Sequence, residues 1–243
     1  MAEQHIEVQI AQGVAVLWLN RTEVRNALNA TMVGELTAAL KTLDRDAGVR
    51  AVVLAGRGPA FCAGGDLAAS LRLGRGPTAA NTRDARALAT LFHRLHTLSK
   101  PTLARVHGAA FAGGVGLIAA CDIAIASQEA EFCLSEVKVG MAAASIVPYL
   151  LRAMGERATR RYVLSAEVFS AAEAYRIGLV HELALPPALD EMVDTILTRL
   201  IKGGPAAQAT AKRLISSFSG RPLNAAAVEE TVRQYTRLRV SAE

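Results

Sequence analysis

Arg50-Ala-Val-Val-Leu-Ala-Gly-Arg-Gly-Pro-Ala-Phe-Cys-Ala-Gly-Gly-Asp66 is the stretch from which the fold of this chain is read. Arg50–Ala55 is a short apolar run of the kind that makes a buried strand, and Gly56–Asp66 is a glycine-rich turn. The pattern returns downstream. Residues 82–98 place Leu88, Leu91, Phe92, Leu95 and Leu98 on one face of a helix, which Lys100-Pro101 closes before the strand Thr102–Val106. A second glycine-rich turn follows, His107-Gly-Ala-Ala-Phe-Ala-Gly-Gly114, and opens a short apolar helix to Ala120. Recurring strand, glycine turn and helix point to an α/β chain.

On the N-terminal side, residues 5–10 and 13–20 are rich in β-formers and are separated by a turn at Ala11-Gln12, so they read as a hairpin. In residues 31–46, Met32, Leu36, Leu40 and Leu43 recur at helical spacing after Asn29, a suitable cap. Toward the C-terminus, residues 122–126 and 131–134 read as short strands, and helices predominate from Ser145 onward. Ser170-Ala-Ala-Glu173 has the form of a capping box, Gly178 that of a helix stop, and Leu179–Leu183 that of one more strand. From Pro186-Pro187 on, the pattern is helical and amphipathic, as expected of a lid or an oligomerisation element. The expected organisation is a core over residues 1–185 and a C-terminal helical region over 186–243.

Composition narrows the class. Of 243 residues, 51% are hydrophobic and 20% charged, which suits a chain that folds by burial and argues against long disorder. Met1–His5 lacks the basic start and apolar stretch of a signal peptide, and no window approaches a membrane span, so a cytoplasmic location is expected. Cys62, Cys121 and Cys133 have neither CxxC nor zinc-ligand spacing, so they are expected to be reduced and buried, with no metal site. A net charge of +5 and a pI near 9.4 suit a polyanionic partner, either nucleic acid or a phosphate-bearing molecule. Basic residues cluster only in Arg152–Arg161 and few aromatics accompany them, so a solvated helix face is expected there and nucleic acid is disfavoured.

Two strands that each end in a glycine turn opening a helix leave unpaired backbone N–H groups aimed at a ligand. Competing glycine motifs fail. Gly108 to Gly113 has P-loop glycine spacing, but Gly114-Val115 stands where that loop needs Lys-Ser/Thr. Gly113-Gly-Val-Gly116 does not fit GxGxxG, and no GxSxG elbow is present.

Phe61-Cys-Ala-Gly-Gly-Asp-Leu67, Lys100-Pro101, Val106-His-Gly108, Ala112-Gly-Gly114 and Cys121-Asp-Ile-Ala-Ile-Ala126, in this order and spacing, resemble the enoyl-CoA hydratase/isomerase (crotonase) family. The resemblance runs from about residue 6 to 240. Asn20–Leu28 resembles that family's first CoA-contacting loop, and Ala171–Val180 a later helix-to-strand segment. The resemblance implies an α/β spiral of repeated ββα units with a C-terminal helical region, assembled as a homotrimer or homohexamer. It implies an acyl-CoA thioester as substrate, with coenzyme A as part of that substrate and no separate cofactor. The thioester carbonyl would sit between the backbone N–H groups of Gly65 and Gly113. Adenine and pantetheine would rest against Val24, Arg25, Ala27, Ala63 and the turn containing Phe61, Gly64, Asp66 and Leu67. Preorganised donors at that oxygen make chemical sense, because losing one typically costs about 3–4 kcal/mol of barrier.

Family hydratases generally use two glutamates. Glu136, in Leu134-Ser-Glu-Val-Lys138, matches the later one, whereas Gly116, counted among the substrate-contacting positions, stands in place of the earlier. Syn hydration of a 2-enoyl thioester is comfortable with two carboxylates, while a 3-enoyl to 2-enoyl shift needs one base. Glu136–Gly140 with Ala144–Arg161 is similar to hydratases acting on branched, carboxylated substrates, the 3-methylglutaconyl-CoA type among them. The leading expectation is an enoyl-CoA hydratase. A 3-enoyl/2-enoyl-CoA isomerase is the alternative, and a non-catalytic acyl-CoA or RNA-binding protein a second.

Other polar residues have plainer readings. His107 is expected to make a structural hydrogen bond, and His93 and His96 to serve a surface or interface. Asp66 and Asp122 are expected to serve turns and packing, and Ser135 to orient Glu136. The chain ends at Arg239–Glu243, short of the tail that often adds a basic residue near the CoA phosphates in relatives.

Overall fold

The computed structural model describes residues 4–240, so the ends of both terminal readings, Met1–Glu3 and Ser241–Glu243, lie outside the described residues. The chain passes three times through the same stations: a strand in a large sheet, a strand in a small sheet, then helix. The first pass is β3 (Ala51–Gly56), β4 (Ala60–Cys62), α2 (Leu67–Gly74) and α3 (Thr78–His96). The second is β5 (Thr102–Val106), β6 (Ala109–Phe111) and α4 (Gly113–Ala120), and the third β7 (Ile123–Ser127), β8 (Glu131–Cys133) and α5 (Val147–Ser165). Before them come the hairpin β1 (Ile6–Ala11) and β2 (Val14–Leu19) and the helix α1 (Ala30–Arg45). After them come β9 (Phe169–Ser170), α6 (Ala171–Arg176), β10 (Glu182–Ala184), α7 (Leu189–Ile201), α8 (Pro205–Phe218) and α9 (Ala225–Arg239).

The large sheet has the order β1-β2-β3-β5-β7-β10, parallel except for the β1–β2 hairpin. The small sheet has the order β4-β6-β8-β9, with the last pair antiparallel. All six residues of β3 are buried, as expected of a parallel strand covered on both faces. Its side chains divide with period two. Val52 and Leu54 join the main core, while Ala51 and Val53 pack with Leu103, Ile125 and the α7 residues Leu189, Val193 and Leu197. Helix α7 thus covers the second face of the sheet, whereas α8 and α9 each bury only one residue, Thr210 and Ala227.

Asn29 caps α1 by accepting from Met32 N at 2.9 Å, and Met32, Val33, Leu36, Leu40 and Leu43 are buried. At roughly 1.5–3 kcal/mol for each large side chain, that face anchors the helix. The proposed capping box forms only half. Ser170 accepts from Glu173 N, but the Glu173 carboxylate turns to Arg176 at 2.6 Å and to the Tyr162 hydroxyl at 2.5 Å, which hold its pKa down to about 2. Cys121 is partly exposed, unlike Cys62 and Cys133, and all three thiols are free. No helix among the described residues is long and apolar enough to cross a membrane.

Glycine is required where the two sheets and α4 meet. A Cβ on Gly114 would lie 2.5 Å from the Cys62 carbonyl oxygen, a backbone atom that cannot swing aside. Gly114→Ala should therefore cost about 1–3 kcal/mol. Gly34→Ala in α1, where an added Cβ meets nothing within 4 Å, should gain about 0.5–1 kcal/mol. Urea melts with unchanged slope give both values; equal effects of the two substitutions would contradict the packing account.

Candidate active site

The first glycine turn presents one free amide. Leu28 N donates to Gly64 O at 2.7 Å and Asp66 N donates to Leu28 O at 2.8 Å, a parallel bridge centred on Gly65. Because alternate peptide groups of extended chain face opposite ways, the Gly65 N–H points away from Leu28. The second turn presents another. Ala112 N donates to Cys133 O at 2.7 Å, and Ala112 then takes φ 47° and ψ −115°, a conformation that L residues rarely adopt. That bend starts α4 without any side-chain cap, so the Gly113 N–H belongs to the first turn of a helix and lacks an intrahelical acceptor. Neither amide donates to a protein acceptor among the described residues.

The two turns interlock. A Cβ on Gly64 (φ +95°) would lie 2.8 Å from Ala112 Cβ and 2.9 Å from Phe111 O, and the Gly114 contact with Cys62 closes the other side. Behind the first turn lies Asn26, fully buried at φ +59°. Its side-chain amide donates to Arg57 O and Ala60 O, both at 2.9 Å, and to Phe61 O at 3.2 Å, while its oxygen accepts from Arg21 N at 2.9 Å. Sequence reasoning missed this clamp. The signal was one asparagine, a residue tolerant of left-handed backbone, inside the quoted Asn20–Leu28 loop.

Gly65, Gly113 and Glu136 line one cavity of about 350 Å³. Glu136 begins the 3-10 turn Glu136–Val139, which Gly140 ends at φ +70°. Its Oε2 is buried without a hydrogen-bond partner among the described residues, and burial pushes its pKa up from the ordinary value of a glutamate. A buried, unsatisfied carboxylate oxygen is costly in folding and apt for proton transfer. Ser135 lines the cavity too, but its hydroxyl makes no hydrogen bond to Glu136 among the described residues.

The other expected positions divide. Ala63, Asp66 and Leu67 line the cavity. Asp66 also caps α2, accepting from Ala69 N at 3.0 Å, and pairs with Arg21 at 3.3 Å; these two contacts hold its pKa down. Val24, Arg25 and Ala27 lie beside the turn rather than on the cavity wall, joined to it by the bond from Ala63 N to Arg25 O at 2.9 Å. Phe61 is fully buried in the main core, and Gly64 lies between the turns. Gly116 is shut off altogether. A Cβ there would lie 2.2 Å from Ile146 Cγ2 and 3.1 Å from Phe92 Cε1, so hydrocarbon fills the space beside the position at which the resemblance implied a missing glutamate. Sequence reasoning also missed Ser70, Asp84, Leu88 and Ala142–Ile146 on the wall. For Asp84 and Leu88 the available signal was their i,i+4 spacing on one helix face.

Away from the cavity, His107 Nε2 lies 2.8 Å from Gly58 O, a structural hydrogen bond as its position suggested. His96 meets the Tyr149 ring edge-on at 5.4 Å between centroids. Asp122 accepts from Thr102 N at 2.7 Å and pairs with Lys212 at 2.6 Å, fastening α8 to the core. Among the described residues no three His, Cys, Asp or Glu side chains are placed to hold a metal ion.

Two free amides and one buried carboxylate facing a common cavity can hold negative charge on a carbonyl oxygen and move a proton beside it. A protein of Thermus thermophilus, provisionally named as an enoyl-CoA hydratase, is 41% identical over 217 residues, covering 89% of this chain and 86% of its own. The hydroxycinnamoyl-CoA hydratase-lyase of Pseudomonas fluorescens is 33% identical over 210 residues, covering 85% and 76%. The crystal structure of an enoyl-CoA hydratase from Shewanella pealeana superposes with a TM-score of 0.95 at 36% identity, over 98% of this chain and 89% of that one. The sequence profile of the enoyl-CoA hydratase/isomerase family matches residues 9–238, and the chain belongs to that family.

Proposed function

We propose that this enzyme reversibly hydrates a 2-enoyl-CoA, with the Gly65 and Gly113 amides on the thioester oxygen and Glu136 as the proton carrier. The observation that carries the reading is the unbonded Glu136 Oε2, buried in the cavity that the two free amides also line. Family membership supports hydratase-type chemistry in general. The Glu136 carboxylate takes a proton from water as the water oxygen bonds to the β-carbon. The electron pair of the double bond moves onto the thioester oxygen, where the two amides meet the charge. The protonated Glu136 then delivers its proton to the α-carbon and the carbonyl re-forms. Hydrogen is added at the α-carbon and hydroxyl at the β-carbon, and the carboxylate is regenerated.

Ile146 and Phe92, filling the space at Gly116, favour a second reading. A single carboxylate suffices for a 3-enoyl/2-enoyl-CoA isomerase, which moves a proton from the α- to the γ-carbon through the same enolate. In either case coenzyme A enters as part of the substrate and no further cofactor takes part. Ile215, Val228, Val232 and Tyr235 on α8 and α9 are exposed, which supports self-association as a homotrimer or homohexamer.

Glu136→Gln should lower kcat by about 10²–10⁴-fold in stopped-flow or steady-state assays; full turnover by this variant would sink the assignment. Both reactions start from the carboxylate, and burial raises its pKa, so kcat/KM should fall as pH drops through a value above the usual carboxylate figure of about 4.3. An acidic limb at or below that figure would contradict the role. Loss of enoyl absorbance with crotonyl-CoA marks hydration, whereas conversion of 3-hexenoyl-CoA without water uptake marks isomerisation.

A further inference from the structure

We infer that Asp84 is a specificity-determining residue that turns acyl chains bearing a second carboxylate away from this site. The inference rests on the acyl-CoA reading above and concerns the wall of the same cavity. That wall is mostly hydrocarbon, with Leu67, Leu73, Leu88, Val139, Met141 and Ile146 contributing. The charged residues among those lining the cavity are Asp66, Asp84 and Glu136, and none is Arg, Lys or His.

The three carboxylates differ in how they are compensated. Asp66 has Arg21 at 3.3 Å and the Ala69 amide at 3.0 Å. Glu136 keeps one oxygen unbonded and buried. Asp84, half-buried on α3, takes part in no ion pair and no side-chain hydrogen bond among the described residues. Its helix neighbours Arg83 and Arg86, Arg72 on α2, and Lys138 beside Glu136 are exposed and stand off the cavity wall. The amides of Gly65 and Gly113 supply the cavity's positive potential, and the thioester oxygen takes both. An acyl chain ending in a carboxylate would thus place a fourth negative charge beside these three, partly out of water, with no cation among the residues lining the cavity to receive it. Of the branched and carboxylated acyl types that the family resemblance suggested, the cavity suits an uncharged, branched or straight chain and opposes a carboxylated one.

The test compares crotonyl-CoA with 3-methylglutaconyl-CoA as substrates of the wild type and of Asp84→Asn, by kcat/KM. The wild type should favour the uncharged thioester by about tenfold or more, and Asp84→Asn should narrow that ratio by about tenfold. Equal or faster turnover of the carboxylated thioester by the wild type overturns the inference, as does a ratio unmoved in a variant of wild-type melting temperature. Calorimetric binding of butyryl-CoA and glutaryl-CoA reads the same discrimination without turnover. Tight butyryl-CoA and weak glutaryl-CoA binding, relieved in Asp84→Asn, supports it even if no hydration is found. Equal binding of the two overturns it, and failure of both to bind removes the acyl-CoA reading along with it.

Discussion

The mutual intrusion of two backbone turns is the constraint on which the rest of the structure depends. Gly64 lies against Phe111 and Ala112, and Gly114 lies against the Cys62 carbonyl, at distances that admit no Cβ on either glycine. Strands β4 and β6 pair beside this contact, so the small sheet and the first turn of α4 are built around it. The amides of Gly65 and Gly113 then face one cavity because their neighbours are committed elsewhere: Gly64 and Asp66 to Leu28, Ala112 to Cys133. The strained Ala112 conformation, which costs about 1–3 kcal/mol, is held by that surrounding packing.

Glu136 extends the same logic to a side chain. It is carried on a short 3-10 turn after β8, the strand that pairs with β6, so its position relative to Gly113 is set through the small sheet. Folding brings its buried Oε2 no protein hydrogen-bond partner among the described residues, which leaves that oxygen available to a ligand or a proton. Ile146 and Phe92 meanwhile close the space beside Gly116. Of the three carboxylates on the cavity, Glu136 is the one with a buried oxygen that no group among the described residues bonds, and the chemistry proposed for it depends on where a substrate places its α-, β- and γ-carbons.

Much of this was legible in the residues. The β3 run, the Met32–Leu43 face and the Asn29 cap each carry a local signal that the folded chain keeps, because burial and capping act within a few residues. The glycine turns were legible as turns, but β4 and β6 inside them were not, since three-residue strands carry no period and are defined by partners far along the chain. Glu173 shows the limit of a motif: its spacing promised a reciprocal cap, and Tyr162 and Arg176, brought close by folding, took the carboxylate instead. At the site, family resemblance pointed to Gly65, Gly113 and Glu136, which line one cavity. Asn26 behind the turn and Asp84 on the wall left only faint local signals, a left-handed-tolerant residue and an i,i+4 spacing, and Ile146 over Gly116 emerges from tertiary packing alone.

The central claim is that two backbone amides polarise a thioester carbonyl. It is tested most directly by isotope-edited infrared spectroscopy of a carbonyl-labelled 2-enoyl-CoA bound to Glu136→Gln protein, in which slow turnover preserves the complex. Two strong hydrogen bonds to one oxygen predict a carbonyl stretch at clearly lower wavenumber than for the same thioester in water. A bound thioester whose stretch matches or exceeds its value in water would contradict the account.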